Sequence, residues 1–340
     1  MADTAMRRRA LLLAGAGGLT AALAANAAPA KAAGSSLQLV ESQPPVSATL
    51  FNTRYFEIDS RKAGARFAVW VTTPPLYERE PTRRYPAIYL PDGNIAAPQT
   101  IPANDLLRSD PIHPIEPFIQ VSVGYAGEDA PRMLAVRARD LLPPHEALPA
   151  GLEEGMASTV TAGMLDAASA QLYLHYLRNP AADRFLAFLT EELHPLVAGQ
   201  YRVAPDGAGL FGYSYGGLFA TYVTLRRSPL FKRIGAGSPG ILPQVSKVFS
   251  MYADELKAKA DYSGRMLHMT VNEAEIDTPS YYQPMVGEGA TEFIALANQQ
   301  PLPGLAFSSR IVGFESHASG FAPSWFSFLR TCYSASSHQG

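Results

Sequence analysis

Leu210-Phe211-Gly212-Tyr213-Ser214-Tyr215-Gly216-Gly217-Leu218-Phe219 is the stretch that decides the fold. It opens as an apolar strand and passes through Gly-x-Ser-x-Gly. It continues as a helical pattern through Leu218, Phe219, Tyr222, Val223 and Leu225, closing on Arg226, Arg227 and Pro229. A serine on so sharp a strand-to-helix turn has its hydroxyl pushed out where a base and a substrate can reach it. Gly212 and Gly216 are expected to lack side chains because strand and helix approach too closely for a Cβ. The helix start behind the serine supplies free N–H groups and partial positive charge. The plain alternative is a tight turn without chemistry; the strand before and the helix after favour a nucleophile at Ser214. The overlapping Gly207-Ala208-Gly209-Leu210-Phe211-Gly212 matches G-x-G-x-x-G but runs into a strand instead of opening a helix, which argues against a dinucleotide site.

Working outward, short β-rich runs alternate with helical patterns, the signature of an α/β fold with a mostly parallel sheet and helices on both faces. Strands are predicted over 48–58, 66–72, 87–90, 118–124, 209–213, 233–237, 266–271 and 306–314. The first two alternate polar and apolar residues, as an antiparallel edge does; the later ones read as strands buried on both faces. A helix is predicted from Asn179 as N-cap and Pro180 at its first position, through Phe185, Leu189 and Leu196, to Gly199. Residues 141–178 show no clear strand and carry Pro143, Pro144, Pro149 and Gly151, so they read as a lid-like insertion or a surface excursion.

Composition narrows the classes. The chain has 340 residues, and 28 Lys+Arg against 30 Asp+Glu leave a net charge of −2, which gives no footing for nucleic acid. A single cysteine, Cys332, excludes an internal disulfide framework and any multi-cysteine metal site. Arg7-Arg8-Arg9, the apolar run from Ala10 to about Ala25 and Ala-x-Ala sites ending at Ala32 read as an export signal over residues 1–32. The Arg8-Arg9 pair followed by Ala10-Leu11-Leu12 suggests the twin-arginine machinery as export partner, with an ordinary secretory signal as the alternative. The run is shorter than the ~20 residues of a membrane span, so no stable anchor is expected after cleavage. The mature chain, 35–335, then reads as one domain, periplasmic or secreted.

Ser214 needs a base. Of the 7 histidines, His317 in Phe314-Glu315-Ser316-His317-Ala318-Ser319-Gly320 lies after the last strand, which fits the chain order Ser, acid, His. His268 falls inside a strand; His175 and His194 fall on helices ahead of the nucleophile. The acid should follow the penultimate strand, where Glu273, Glu275 and Asp277 compete in Asn272-Glu273-Ala274-Glu275-Ile276-Asp277. Glu275 is the first choice, and a Ser–His dyad without a carboxylate stays open.

With these residues in hand, the chain resembles the putative-esterase family of α/β-hydrolases, which includes enterochelin-type siderophore esterases and S-formylglutathione hydrolases. Tyr85-Pro86-Ala87-Ile88-Tyr89-Leu90-Pro91-Asp92-Gly93-Asn94 is similar to the family's strand ending in an Asp-Gly turn. Val123-Gly124-Tyr125, Arg137-Ala138-Arg139-Asp140 with Pro143, Glu192-Leu193-His194-Pro195 and Gly237-Ser238-Pro239 resemble further family segments. The likeness is nearest to the siderophore-esterase branch, where the acid, when present, closes a Gly-x-x-Glu; here Asn272 replaces the glycine. The resemblance implies an oxyanion hole from the backbone N–H groups of Tyr215 and Asn94. Tyr213 and Tyr125 are expected to contact substrate. The implied activity is an exported serine esterase working through an acyl-enzyme on a small-molecule ester, with no metal or organic cofactor. The alternatives are an acyltransferase using the same acyl-enzyme and a non-catalytic binding module on the hydrolase scaffold.

Overall fold

The computed structural model describes residues 46–335. The expected leader and His338 lie outside the described residues. Eight strands form a single sheet in the order β1-β2-β4-β3-β5-β6-β7-β8. Their spans are β1 Thr53–Ser60, β2 Ala65–Thr72, β3 Ala87–Leu90, β4 Ile119–Tyr125, β5 Ala208–Tyr213, β6 Phe231–Gly237, β7 Arg265–Asn272 and β8 Leu305–Val312. β2 pairs antiparallel with both β1 and β4, so β2 alone runs against the rest. All other pairings are parallel. This is the mostly parallel α/β-hydrolase sheet that the sequence implied.

The strand patterns explain the positions. β3, β4 and β5 are buried at every residue, as strands covered by helices on both faces must be. β1 alternates and sits at one edge; β8, at the other edge, exposes much of its length despite its apolar sequence. One face of the sheet packs Phe67, Phe185, Phe188 and Phe219 into the larger core. The helix Phe321–Cys332 inserts Trp325 and Phe328 against Phe211 to make a second core.

One local helix prediction differs from the structure. Asn179 does not open a helix but caps the end of the helix Ala167–Arg178, its amide donating to the His175 carbonyl. The next helix starts at Ala182, and a π-helical turn, Phe188–Leu193, carries it into His194–Gln200. The helix Gly93–Arg108 follows β3 with Pro98 and Pro102 inside it. Within the insertion, 141–178, lie the helices Leu152–Thr161 and Ala167–Arg178, and no strand.

A parallel sheet gathers chemistry at one edge, because every loop leaving the carboxyl end of a parallel strand emerges on the same side. Asp92-Gly93 follows β3, Ser214 follows β5, Ser238 follows β6, Glu275 follows β7 and His317 follows β8. Residues scattered over more than half the chain therefore converge.

Candidate active site

Ser214 sits on the turn between β5 and the helix Tyr215–Leu225, with φ 61° and ψ −119°. A non-glycine residue in that region is strained, and it holds only when its surroundings fix it. Ser214 N–H donates to the Gly237 carbonyl at 2.9 Å and Gly240 N–H donates to the Ser214 carbonyl at 3.1 Å, so the end of β6 clamps the turn. The glycines make room unequally. A Cβ on Gly212 would lie 2.0 Å from the Gly216 carbonyl oxygen, and one on Gly217 would lie 2.6 Å from that of Gly237. At Gly216 a Cβ would meet nothing closer than 3.5 Å outside its own helix backbone and chain neighbours, so the steric need expected there belongs to Gly217 instead.

His317 Nδ1 lies 2.6 Å from Glu275 Oε1. Glu275 is 2% exposed, whereas Glu273 and Asp277 are exposed. Glu273 receives the Phe314 N–H at 2.7 Å and so holds the histidine loop from outside. Asp277 accepts only from Thr278 among the described residues. Of the three competing carboxylates, Glu275 alone reaches the imidazole.

The second oxygen of Glu275 is also held. Oε2 accepts from the Ser238 hydroxyl at 2.8 Å and from the Asn272 N–H at 2.7 Å. Asn272 Nδ2 in turn donates to Ser238 Oγ and to Tyr213 Oη, and Tyr213 Oη donates to the His317 carbonyl at 2.8 Å. Asn272, where the resemblance implied a glycine, thus ties the acid to the histidine loop. Ser238, on a turn with φ 39°, was visible in the sequence only as part of Gly237-Ser238-Pro239; nothing in its spacing marked it as the partner of Glu275.

Tyr213 and Tyr125 are not placed as expected. Tyr213 is 8% exposed; its ring lies 5.1 Å from the imidazole and also packs on Phe321, so it supports the histidine from behind. Tyr125 is 3% exposed and packs against Phe67, and burial pushes its phenol well above the usual range. A side chain closed inside the core has no face for substrate. The backbone of Tyr125 has a different job. Its N–H and carbonyl bond Asn94 Oδ1 and Nδ2 at 2.7 and 3.1 Å, pinning the start of the helix Gly93–Arg108 to the end of β4.

That helix start carries the Asn94 N–H. Asp92 precedes it in the left-handed region at φ 58°, and Gly93 packs so tightly that a Cβ would come within 2.8 Å of the Val123 and Gly124 backbone. Arg137 locks Asp92 through two bonds, Nε–Oδ1 at 2.8 Å and Nη2–Oδ2 at 2.6 Å. The same guanidinium reaches the Tyr213 carbonyl at 3.3 Å and lies over the Tyr215 ring at 5.2 Å. One cation therefore joins the two loops that bear the Asn94 and Tyr215 N–H groups, each at a helix start where backbone donors have no partner within the helix. Arg139 is paired with Asp140 and Asp129.

The insertion also reaches the site. Tyr173, from the helix Ala167–Arg178, lies hydroxyl to hydroxyl with Tyr215 at 2.6 Å. Burial pushes Tyr173 up to about 12 and Tyr215 well above its usual value, so both phenols stay protonated and one donates to the other. Across the site the ring of Tyr282 stacks on His317 at 3.9 Å and 14°. Among the described residues no hydrogen bond joins Ser214 Oγ to the imidazole; such bonds commonly tighten only around bound substrate. Among the described residues no three His, Cys, Asp or Glu side chains gather as a metal site would need. His268 is not part of this site. It is buried between Ser308 and Ser327.

Comparison with known proteins agrees with this architecture. Residues 144–292, the stretch bearing Ser214 and Glu275, match the family model described as "Putative esterase". The ferri-bacillibactin esterase BesA of Bacillus subtilis is 25% identical over 197 residues, 57% of this chain and 60% of the relative. The match thus spans about three fifths of that curated relative's length. The BES protein from Bacillus cereus superposes with a TM-score of 0.64 at 21% identity, covering 87% of this chain and 99% of that one. The siderophore hydrolase EstB from Aspergillus nidulans gives 0.65 at 19% identity, covering 88% and 98%. Residues 144–292 are thus similar to the putative esterases, and the chain shares the α/β-hydrolase fold of these solved structures.

Proposed function

We propose that the protein is an exported serine esterase that hydrolyses a siderophore-type carboxylic ester. The observation that carries the reading is the buried Glu275–His317 pair at the same sheet edge as a serine held at positive φ. In this reading Ser214 Oγ attacks the ester carbonyl and its proton passes to His317 Nε2. Glu275 fixes the tautomer that leaves Nε2 free and stabilises the imidazolium. The N–H groups of Tyr215 and Asn94 receive the oxyanion, each such donor being worth ~3 kcal/mol in the transition state. His317 returns the proton to the departing alkoxide, giving the alcohol and an acyl-Ser214, and a water activated by the same imidazole releases the acid.

The substrate class draws support from the names of the relatives. Charge recognition by Arg137 and Arg139 is not part of the reading, because Asp92 and Asp140 already engage both guanidiniums. The leader supports export, which N-terminal sequencing of protein recovered from the periplasm tests.

The substrate test is a panel run on mature protein: cyclic and linear siderophore esters with and without iron, feruloyl esters and short nitrophenyl esters, each with and without an acceptor alcohol. The expected result is kcat/KM at least tenfold higher on a siderophore ester, with free acid as product. Preference for feruloyl or simple alkyl esters, or transfer to the added alcohol as the main reaction, would overturn it.

A further inference from the structure

Tyr282 lies in the segment between the short helix Glu273–Asp277 and the π-helical turn Gln283–Glu288. It is half-exposed, at 38%, yet its ring is laid almost flat on His317, 3.9 Å between centroids with 14° between planes. Tyr281 meets Tyr282 edge-on at 5.5 Å and is itself 64% exposed. The imidazole is otherwise held at two points. Glu275 takes Nδ1 at 2.6 Å, and Tyr213 anchors the His317 backbone carbonyl and approaches the ring at 5.1 Å, tilted by 42°. The Glu275 bond lies at the ring edge and the Tyr213 ring is farther off and tilted, so of these three contacts Tyr282 alone lies flat on the imidazole.

An imidazole bonded only through Nδ1 can still rock about that bond and swing Nε2 out of line. A flat ring on its face removes that freedom and keeps water from the Nδ1–Oε1 bond. The electron-rich face of a tyrosine also attracts the imidazolium that forms when His317 takes the serine proton. We propose that Tyr282 is a positioning residue for His317: its ring shields the hydrogen bond to Glu275, fixes the plane in which Nε2 accepts and returns the proton, and favours the cation formed in between. The proposal rests on the esterase reading for its kinetic consequence but not for its structural one. The phenol hydroxyl has no part in it, so phenylalanine serves equally.

The test uses the mature protein and three variants, Tyr282→Ala, Tyr282→Phe and Ser214→Ala, with melting curves to show that each is folded. Proton NMR follows the low-field resonance of the His317 Nδ1–H. It should be protected from solvent exchange in the parent and in Tyr282→Phe, and lost to exchange broadening in Tyr282→Ala. On a nitrophenyl ester, Tyr282→Ala should lower kcat about three- to tenfold with KM within twofold; Tyr282→Phe should stay within twofold of the parent. An unchanged, protected resonance in Tyr282→Ala would overturn the proposal. So would a raised KM with unaltered kcat, which would make Tyr282 a substrate contact. Turnover surviving in Ser214→Ala would instead defeat the esterase reading, and the NMR arm would still decide the role of Tyr282.

Discussion

Replacing Gly212 and Gly216 by alanine, one at a time, should give opposite results from one motif. At Gly212 the added carbon would lie 2.0 Å from the Gly216 oxygen and 2.3 Å from its carbonyl carbon. Non-bonded carbon does not approach so near, so about 1 Å of movement is required, and both neighbours are backbone. The atoms that must yield belong to the first turn of the helix Tyr215–Leu225, the turn that presents the Tyr215 N–H. Overpacking of a tight site costs about 1–3 kcal/mol, and this clash lies at the severe end. A 1 Å misplacement of groups around the reacting atoms costs about a hundredfold in rate. At Gly216 the added carbon would make ordinary contacts of 3.5 Å with Asp92 Oδ2 and Pro91 Cγ. Alanine there gains up to about 1 kcal/mol of helix propensity, or about 2 °C in Tm for a domain of this size. Thermal melts and kcat/KM on a nitrophenyl ester read both effects. Gly212→Ala should melt lower and lose about a hundredfold in activity, and Gly216→Ala should melt level or slightly higher with most of its activity. A fully active Gly212→Ala, or a Gly216→Ala that does not fold, would refute the reasoning.

Further outcomes follow from the acid and from a histidine outside the site. Glu275→Gln should cut kcat about a thousandfold or more by favouring the wrong imidazole tautomer, while Glu273→Gln and Asp277→Asn stay within tenfold; steady-state kinetics on purified variants checks the ranking, and a larger loss at Glu273 or Asp277 would reassign the acid. His268, buried between Ser308 and Ser327, is held down at about 4 by burial, with Arg310 adding to the effect. Its ordinary value is 6.5, so between pH 6.5 and 4 the unfolded chain binds a proton that the fold refuses. Stability from this residue is therefore full above pH 6.5 and falls toward pH 4, by roughly 3 kcal/mol over the window. Glu146 acts in the opposite sense. Burial raises its carboxyl to about 7, so its contribution is lost as pH rises from 4.5 to 7. Denaturant midpoints of the parent and His268→Gln across this range isolate the histidine. The parent should lose more stability on acidification, and parallel curves would contradict the assignment.

The central strands were legible because fully buried parallel strands must be continuous apolar runs, and each of them lies within a few residues of its prediction; the first strand, predicted from 48, starts only at Thr53 because Val46–Thr49 form a short helix. The helix Gly93–Arg108 was not legible, since Pro98 and Pro102 read as helix breakers. Asn179 followed by Pro180 matched a helix start, yet the amide turned back to satisfy a carbonyl of the preceding helix. In the site, Ser214, His317 and Glu275 could be nominated because a local turn motif and the order of loops after parallel strands both constrain them. Tyr125 and Tyr213 could not be placed, because tyrosine suits a core and a pocket wall equally and only packing tells them apart. The Asp92–Arg137 pair, the Ser238–Glu275 bond and the Tyr282 stack join residues far apart in the chain, and no spacing announces them.

The central claim is that Ser214 is a nucleophile activated by His317. Intact-protein and peptide mass spectrometry after exposure to a fluorophosphonate measures it most directly. The account predicts one adduct per chain, located on Ser214, formed at least a hundredfold more slowly in His317→Ala. Label on another residue, no label on a folded protein, or labelling of Ser214 at an unchanged rate without His317 would contradict it.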